Sequence, residues 1–220
     1  MSYFKGIDLN FLYNKKNKTI FVRMYFNKLK FFTSLILLVA FKFSFATHYK
    51  AGEILYGYLG PQTYRATIIT YTETAGGSGL ADQDTVYLDW GDGFVESVVR
   101  TNGNIGGTGV PEGEFLSGSI KKNVYISNTH AYTGALPFYL ISVTELNRTA
   151  DIINIAGGTG SVNVPIYLED TLKYLPPELF EGNSSPLLLN APIDYANRLD
   201  TFYHNPNAYD PDGDSLHYSL

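Results

Sequence analysis

The sequence contains no cysteine and little methionine or tryptophan, and each shortage narrows the choice of fold and site. With no cysteine among 220 residues, disulfide bonds, thiolate zinc sites and cysteine nucleophiles are all excluded. Two methionines and one tryptophan contrast with 18 tyrosines and 14 phenylalanines, and aromatic side chains favour a pleated sheet. Because 45% of the residues are hydrophobic and only 17% are charged, the chain can bury a core and is not predicted to be disordered.

Motifs of the common enzyme classes are also missing. The sequence has no H-E-x-x-H, no G-x-S-x-G and no Walker-type loop, and its glycine clusters lack the strand-to-helix context that phosphate binding needs. Two acidic pairs, Glu112 with Glu114 and Glu169 with Asp170, are interpreted as solvated loop charges and not as a glycosidase dyad. The sequence therefore predicts a non-catalytic protein without a small-molecule cofactor.

Charge is distributed unevenly along the chain. Residues 1–46 hold eight of the 16 basic residues but one of the 21 acidic residues. Residues 47–220 therefore carry 8 basic and 20 acidic residues, a formal charge of about −12. A segment with this much negative charge repels the phosphate backbone of nucleic acids, so nucleic acid is excluded as a partner.

The basic leader is typical of an export signal. Lys28 and Lys30 precede an apolar run over residues 31–41, and Ser44 and Ala46 supply small residues before a cleavage site. We expect residues 1–46 to be a leader, with a signal peptide over about 24–46 that starts at Met24 and is cleaved near Ala46. The expected location of the mature protein is the cell surface or the medium.

After residue 47, short apolar and aromatic runs alternate with glycine-rich turns, and no helical period of useful length occurs. Strands are predicted at residues 53–59, 64–72, 85–90, 122–127 and 137–145, with one or two more over 161–168 and a short buried strand at 187–189. The expected fold is all-β, an immunoglobulin-like antiparallel β-sandwich. The predicted organisation is a sandwich over 47–150, a proline-containing connection over 151–200 and the start of a second β module over 201–220.

One strand ends in an acidic turn that contains the single tryptophan. Val86, Leu88 and Trp90 fall on one face by the period of two, and Asp89 falls on the other. Gly91, Asp92 and Gly93 then form a tight turn. We expect Trp90 to lie in the core and the carboxylates of Asp89 and Asp92 to brace the turn, in preference to binding a metal.

A second acidic turn lies near the end of the sequence. Asp210, Asp212 and Asp214 alternate in the run DPDGD, where Gly213 permits a sharp bend. Carboxylate oxygens at this density suit Ca²⁺, although the spacing is not that of an EF-hand. A calcium site and a solvated turn whose carboxylates accept backbone amides remain open as alternatives.

These motifs together resemble a known family. The run LDWGDG at residues 88–93, followed about 40 residues later by His130-Ala131-Tyr132 and an alternating strand, resembles the PKD domain. That resemblance implies structural roles for Asp89, Trp90, Gly91, Asp92, Gly93, His130 and Tyr132. The start THYKAGEI at 47–54 and the late DPDGDSL resemble large surface proteins of gliding Bacteroidota. The DPDGD run also resembles a cadherin-like turn, so residues 201–220 are expected to begin a cadherin-like module.

The resemblance implies a function in adhesion and gliding motility. It also implies export by the type IX secretion machinery through a C-terminal domain that this sequence does not include, so a fragment of a longer protein is expected. The expected ligands are an extracellular glycan, a surface or a protein. The alternative is an accessory region of a secreted hydrolase whose catalytic domain lies beyond residue 220.

Overall fold

The fold is given by a computed structural model. It describes residues 30, 48–74, 83–116, 119–134, 136–145, 148–149, 152, 154–155, 160–174, 182–192 and 199–218. The chain divides into two units, residues 1–44 and 45–220, and every strand described here belongs to the second unit. Apart from Lys30, the predicted signal peptide lies outside the described residues.

Eleven strands and one short 3-10 helix, Ser161–Asn163, make up the described secondary structure. In chain order the strands are β1 His48–Gly60, β2 Thr63–Glu73, β3 Thr85–Asp89, β4 Val95–Val99, β5 Glu114–Phe115, β6 Ile120–Ile126, β7 His130–Ala131, β8 Phe138–Glu145, β9 Ile166–Lys173, β10 Leu187–Leu188 and β11 Ala208–Tyr209.

These strands form two larger antiparallel sheets and one small pair. The first sheet has the order β1-β2-β6-β5, with β7 also paired to β2, and the second has the order β4-β3-β8-β9. Among the described strands, β10 and β11 pair only with each other. The prediction of an all-β, antiparallel fold is confirmed.

The core lies where side chains from both larger sheets meet in one cluster. Strand β3 illustrates the cause, because Val86 and Leu88 are fully buried whereas Tyr87 is 66% exposed, as the period of two requires. The buried members of the cluster are Ile54, Tyr56, Tyr64, Ala66, Ile68, Val86, Leu88, Trp90, Val98, Tyr125, Tyr132, Tyr139, Ile141, Val143 and Leu172. The predicted core position of Trp90 is confirmed by its exposure of 0%.

All five strands predicted between residues 53 and 145 are present, but the second half of the chain differs from prediction. Strand β9 lies beyond residue 150, yet it pairs with β8 along its whole length, from Phe138 opposite Lys173 to Glu145 opposite Ile166. The sheet therefore does not end at the predicted boundary of residue 150. Glu169 and Asp170 belong to β9 and not to a loop, so that interpretation of this acidic pair was wrong.

Ser184 and Ser185, in the segment after β9, lie along the edge of β1 that is not paired with β2. The Tyr56 backbone N–H donates to Ser185 Oγ at 2.7 Å, and the Ser185 N–H donates to the Tyr56 carbonyl at 2.8 Å. The Tyr58 N–H donates to Ser184 Oγ at 3.2 Å. These bonds satisfy backbone groups that an edge strand would otherwise expose.

The predicted strand at residues 187–189 is present as β10, but its predicted burial was wrong. Leu187, Leu188 and Leu189 are 36%, 37% and 60% exposed. The physical reason is that β10 has only the two-residue β11 as its partner among the described strands. Two short strands provide too little surface to cover a hydrophobic side chain.

Candidate functional site

The acidic turn after β3, named here the WGDG turn (Trp90, Gly91, Asp92 and Gly93), is closed by its own carboxylates. Asp89 Oδ1 accepts the Gly91 N–H at 2.8 Å, and Asp92 Oδ1 accepts the Phe94 N–H at 3.0 Å. The Trp90 N–H donates to the Phe94 carbonyl at 3.0 Å. Both carboxylates are therefore engaged in bracing the backbone, as expected for an Asx-type turn.

The two glycines of the WGDG turn have left-handed backbone conformations but different surroundings. Gly91 has φ +78°, and a Cβ added there would lie 2.5 Å from the Leu140 carbonyl oxygen. Gly93 has φ +94°, and a Cβ added there would meet no atom within 4 Å. Gly91 therefore lets the turn lie directly against β8, whereas Gly93 provides only the backbone conformation.

His130 and Tyr132 lie on the same turn. His130 Nε2 is 2.9 Å from Asp92 Oδ2, and the imidazole stacks on the Trp90 indole with 4.6 Å between ring centroids. The buried Tyr132 hydroxyl donates to the Trp90 carbonyl at 2.8 Å, and burial raises the pKa of Tyr132. The structure thus brings Asp92, His130 and Tyr132 together beside the buried Trp90 indole.

A buried carboxylate, Glu96, completes this cluster and was missed by the sequence interpretation. The Trp90 Nε1–H donates to Glu96 Oε2 at 3.1 Å. Glu96 Oε1 accepts the backbone N–H and the side-chain amide of Asn128 at 2.8 and 3.0 Å. Its position in the sequence could have identified it, because Glu96 lies two residues before the buried Val98 in β4 and therefore on the same face of the strand. A carboxylate that faces the core needs hydrogen-bond partners.

The second acidic turn, named here the DPDGD turn (residues 210–214), is also held by backbone amides. Asp210 Oδ1 accepts the N–H groups of Asp212 and Asp214 at 2.9 and 3.2 Å. Asp212 Oδ2 accepts the Ser184 N–H at 2.6 Å, which ties the turn to the connection along β1. Among the described residues, no group of three or more His, Cys, Asp or Glu side chains is placed to hold a metal ion. Calcium binding by this turn remains a prediction.

A buried polar network lies between the two larger sheets. The Arg100 guanidinium donates to the Pro111 carbonyl at 2.7 Å and to Asn123 Oδ1 at 2.9 Å. The Asn123 side-chain amide donates in turn to Thr72 Oγ1 at 3.1 Å. Arg100 is only 4% exposed, so these acceptors replace the water that its charge would otherwise need.

Two inward carboxyl groups have pKa values changed by burial. Desolvation raises the pKa of Glu145 to about 7, and the side-chain hydrogen bond with Gln83 lowers it by a smaller amount. Desolvation likewise raises the pKa of Asp170 to about 6, against a smaller lowering by its backbone hydrogen bond with Thr171. Both groups therefore favour the protonated form in the folded protein more than they would in water.

A groove lies between the edge strands β1 and β9. Its volume is about 470 Å³, within the range of small-ligand sites. Glu53 Oε2 is buried and has no hydrogen-bond partner among the described residues, and burial raises the pKa of Glu53. The lining residues are Gly52, Glu53, Ile54, Leu55, Tyr167, Leu168, Glu169, Asp170, Ser185, Pro186 and Leu188.

The outer face of the second sheet exposes large apolar and aromatic side chains. Tyr87 is 66% exposed, Tyr167 is 50% exposed and Phe138 is 56% exposed. Val95, Val99 and Leu140 lie on the same face and are 54%, 46% and 38% exposed. A concentration of exposed apolar side chains on one face is typical of an interaction surface.

Comparisons with known protein families, with curated proteins and with solved structures found no match. In the described part of the chain, no helix has both the length and the apolar character needed to cross a membrane.

Proposed function

We propose that the chain is an exported, non-catalytic β-sandwich module of a bacterial cell-surface or secreted protein, which attaches to a glycan, a surface or another protein. The observation that carries this proposal is the contrast between the WGDG turn and the outer face of the second sheet. The turn's conspicuous side chains are engaged within the protein, whereas Tyr87, Phe138 and Tyr167 face solvent. Exposed aromatics without a packing role favour recognition of a ligand.

The strand order supports an immunoglobulin-like or PKD-like sandwich as the finer description of the fold. The order β1-β2-β6-β5 corresponds to strands A, B, E and D of that architecture, and β3-β8-β9 corresponds to C, F and G. The WGDG turn then follows strand C, and His130 and Tyr132 precede strand F. We place the end of this module after β9, near residue 174, because β9 is part of the sheet.

Export is supported by the sequence of the leader. Its lysines, apolar run and small residues before Thr47 have the order of a signal peptide. A role in adhesion linked to gliding motility and type IX secretion is supported by the resemblance of the chain's motifs. N-terminal sequencing of secreted protein tests the export step, with a start near Thr47 as the expected result and a retained leader as the contrary one.

The adhesion function is tested by coating beads with the purified protein at equal density and measuring their retention under flow. The test surfaces are plain glass, gelatin and several immobilised polysaccharides, and beads coated with serum albumin are the control. We expect retention above the control on at least one surface, with no release of soluble sugar or peptide. Retention equal to the control on every surface, or turnover of the surface material, would contradict the proposal.

A further inference from the structure

Two exposed tyrosines lie in one row across the second sheet. Thr144 in β8 is paired with Tyr167 in β9. The register of β3 with β8 pairs Leu88 with Val143, and continuing it by one residue places Tyr87 opposite Thr144. Tyr87, Thr144 and Tyr167 are all exposed, and side chains in a sheet stand roughly perpendicular to it. We call these three residues the tyrosine row.

The spacing of the tyrosine row matches the repeat of an extended sugar chain. The backbones of Tyr87 and Tyr167 are separated by two strand spacings, about 10 Å, and side chains standing perpendicular to the sheet keep a similar separation. This is also about the length of a disaccharide unit in a β-1,4-linked glycan. Thr144 between them is small and leaves the space above the row open. Two aromatic rings at this distance can contact two sugar rings that present the same face.

Polar groups that fit sugar hydroxyls lie one row away on the same face. Ser142 is paired with Asp89 in β3 and with Glu169 in β9. One oxygen of Asp89 is used by the Gly91 N–H, and Glu169 is exposed. Carboxylate and hydroxyl oxygens accept hydrogen bonds from hydroxyl donors, so this row supplies acceptors alongside an aromatic platform.

The groove between β1 and β9 continues the same surface past the sheet edge. Tyr167 and Glu169 belong to the outer face and also line this groove. On its other side, the groove is lined by residues 52–55 of β1. The surface open to a ligand therefore continues from the outer face of β9 to β1.

Charge decides among the possible ligands of this surface. Residues 47–220 carry a formal charge of about −12, and Asp89 and Glu169 lie on the face itself, so polyanions are repelled. A second copy packed through this face about a two-fold axis would bring the same acidic groups towards one another. Uncharged sugars have the rings and hydroxyls that the face accommodates and no charge for it to repel.

We propose that the tyrosine row, with the neighbouring acceptor row and the groove, is a binding site for a neutral β-1,4-linked polysaccharide. This inference rests on the proposed attachment function and names the ligand class and the face that binds it. The two tyrosines contact every second sugar ring, since alternate rings of such a chain present the same face. Asp89, Ser142 and Glu169 accept hydrogen bonds from the hydroxyl groups of the sugar.

The experiment measures binding of the full chain to insoluble cellulose and chitin by depletion, and to cellohexaose and chitohexaose by calorimetry. Polygalacturonate serves as the anionic comparison. Tyr87→Ala and Tyr167→Ala should each weaken binding about tenfold, and Tyr167→Phe should retain most of it because the ring remains. Tyr203→Ala is the matched control, since Tyr203 is 86% exposed but belongs to neither larger sheet.

Binding to cellulose or chitin that weakens in both tyrosine-to-alanine variants and not in Tyr203→Ala supports the inference. Equal binding by the variants and the wild type, or preferential binding of polygalacturonate, would overturn it. Failure to bind either neutral polysaccharide, with protein-coated beads still retained on glass or gelatin, would overturn the inference alone. Failure on every surface would overturn the proposed attachment function as well.

Discussion

The two glycines of the WGDG turn provide a matched pair of substitutions. Gly91→Ala and Gly93→Ala each place a β-carbon on a residue with left-handed φ, +78° and +94° respectively. That conformation costs a residue with a Cβ about 1–2 kcal/mol. Both variants also restrict the unfolded chain in the same way, so the difference between them isolates the native contact at Gly91.

That contact has a calculable consequence. The new Cβ at Gly91 lies 2.5 Å from the Leu140 carbonyl oxygen and 2.8 Å from the Leu140 backbone nitrogen. Both atoms belong to strand β8 and cannot rotate away as a side chain would. An overpacked contact costs about 1–3 kcal/mol, so Gly91→Ala should lose roughly 2–5 kcal/mol of unfolding free energy in total and Gly93→Ala about 1–2 kcal/mol.

Urea unfolding monitored by Trp90 fluorescence measures both values, because the chain has one tryptophan and it is buried beside the turn. Midpoints are compared at a common slope. Equal destabilisation by the two substitutions, or a larger effect at Gly93, would refute the close approach of the turn to β8. It would also remove the explanation for the first glycine of the motif.

Three further predictions concern the polar interior and the DPDGD turn. Arg100→Ala should lower the free energy of unfolding in urea by about 3 kcal/mol, because the buried acceptors of Arg100 lose a charged donor. The control Arg65→Ala, at an exposed position, should change it by less than about 0.5 kcal/mol. A small effect at Arg100 would contradict the buried network. Glu145 has a raised pKa of about 7 in the folded protein, against an ordinary value of 4.5, so its protonation stabilises the fold below about pH 4.5, and this contribution is lost as the pH rises to about 7. Glu145→Gln should therefore flatten the loss of thermal stability over that pH range, and the exposed Glu169→Gln should not; an unchanged slope in Glu145→Gln would be the contrary result. If the DPDGD turn binds calcium, adding the ion should raise the melting temperature and a chelator should reverse the change. An unchanged melting temperature would show that backbone amides alone hold the turn.

The regular parts of this fold could be predicted from the sequence because one face of each strand is buried. In β3 the alternation of Val86, Tyr87 and Leu88 identifies the strand and its inward face. The role of Trp90 followed from the same parity. Local alternation is a property of adjacent residues, so it can be read without knowledge of the partner strand.

Features that depend on distant partners could not be predicted in the same way. The membership of β9 in the second sheet depends on its pairing with β8 across a connection that contains glycine-rich segments. Nothing local to residues 166–173 specifies that partner. The exposure of Leu187 has the same origin, since burial depends on what packs against a strand and not on its composition.

The candidate binding surface shows this distinction most clearly. Tyr87 and Tyr167 are 80 positions apart in the sequence, and only the register through Thr144 places them in one row. The WGDG turn and the segment His130-Ala131-Tyr132 can be recognised from the sequence because each is compact in sequence. Their side chains are largely satisfied within the protein, so the residues that are easiest to recognise belong to the scaffold.

The most direct test compares stability and attachment in two variants of the same chain. Trp90→Phe removes the indole N–H bonded to Glu96, and Tyr87→Ala combined with Tyr167→Ala removes the exposed rings. With unfolding of every variant followed by circular dichroism, since Trp90→Phe removes the one tryptophan, we predict that Trp90→Phe unfolds at lower urea concentration but retains binding to cellulose or chitin. The double tyrosine variant should unfold like the wild type and lose that binding. The reverse pattern, in which Trp90→Phe abolishes binding without loss of stability and the double variant still binds, would show that the WGDG turn is the site and the outer face is not.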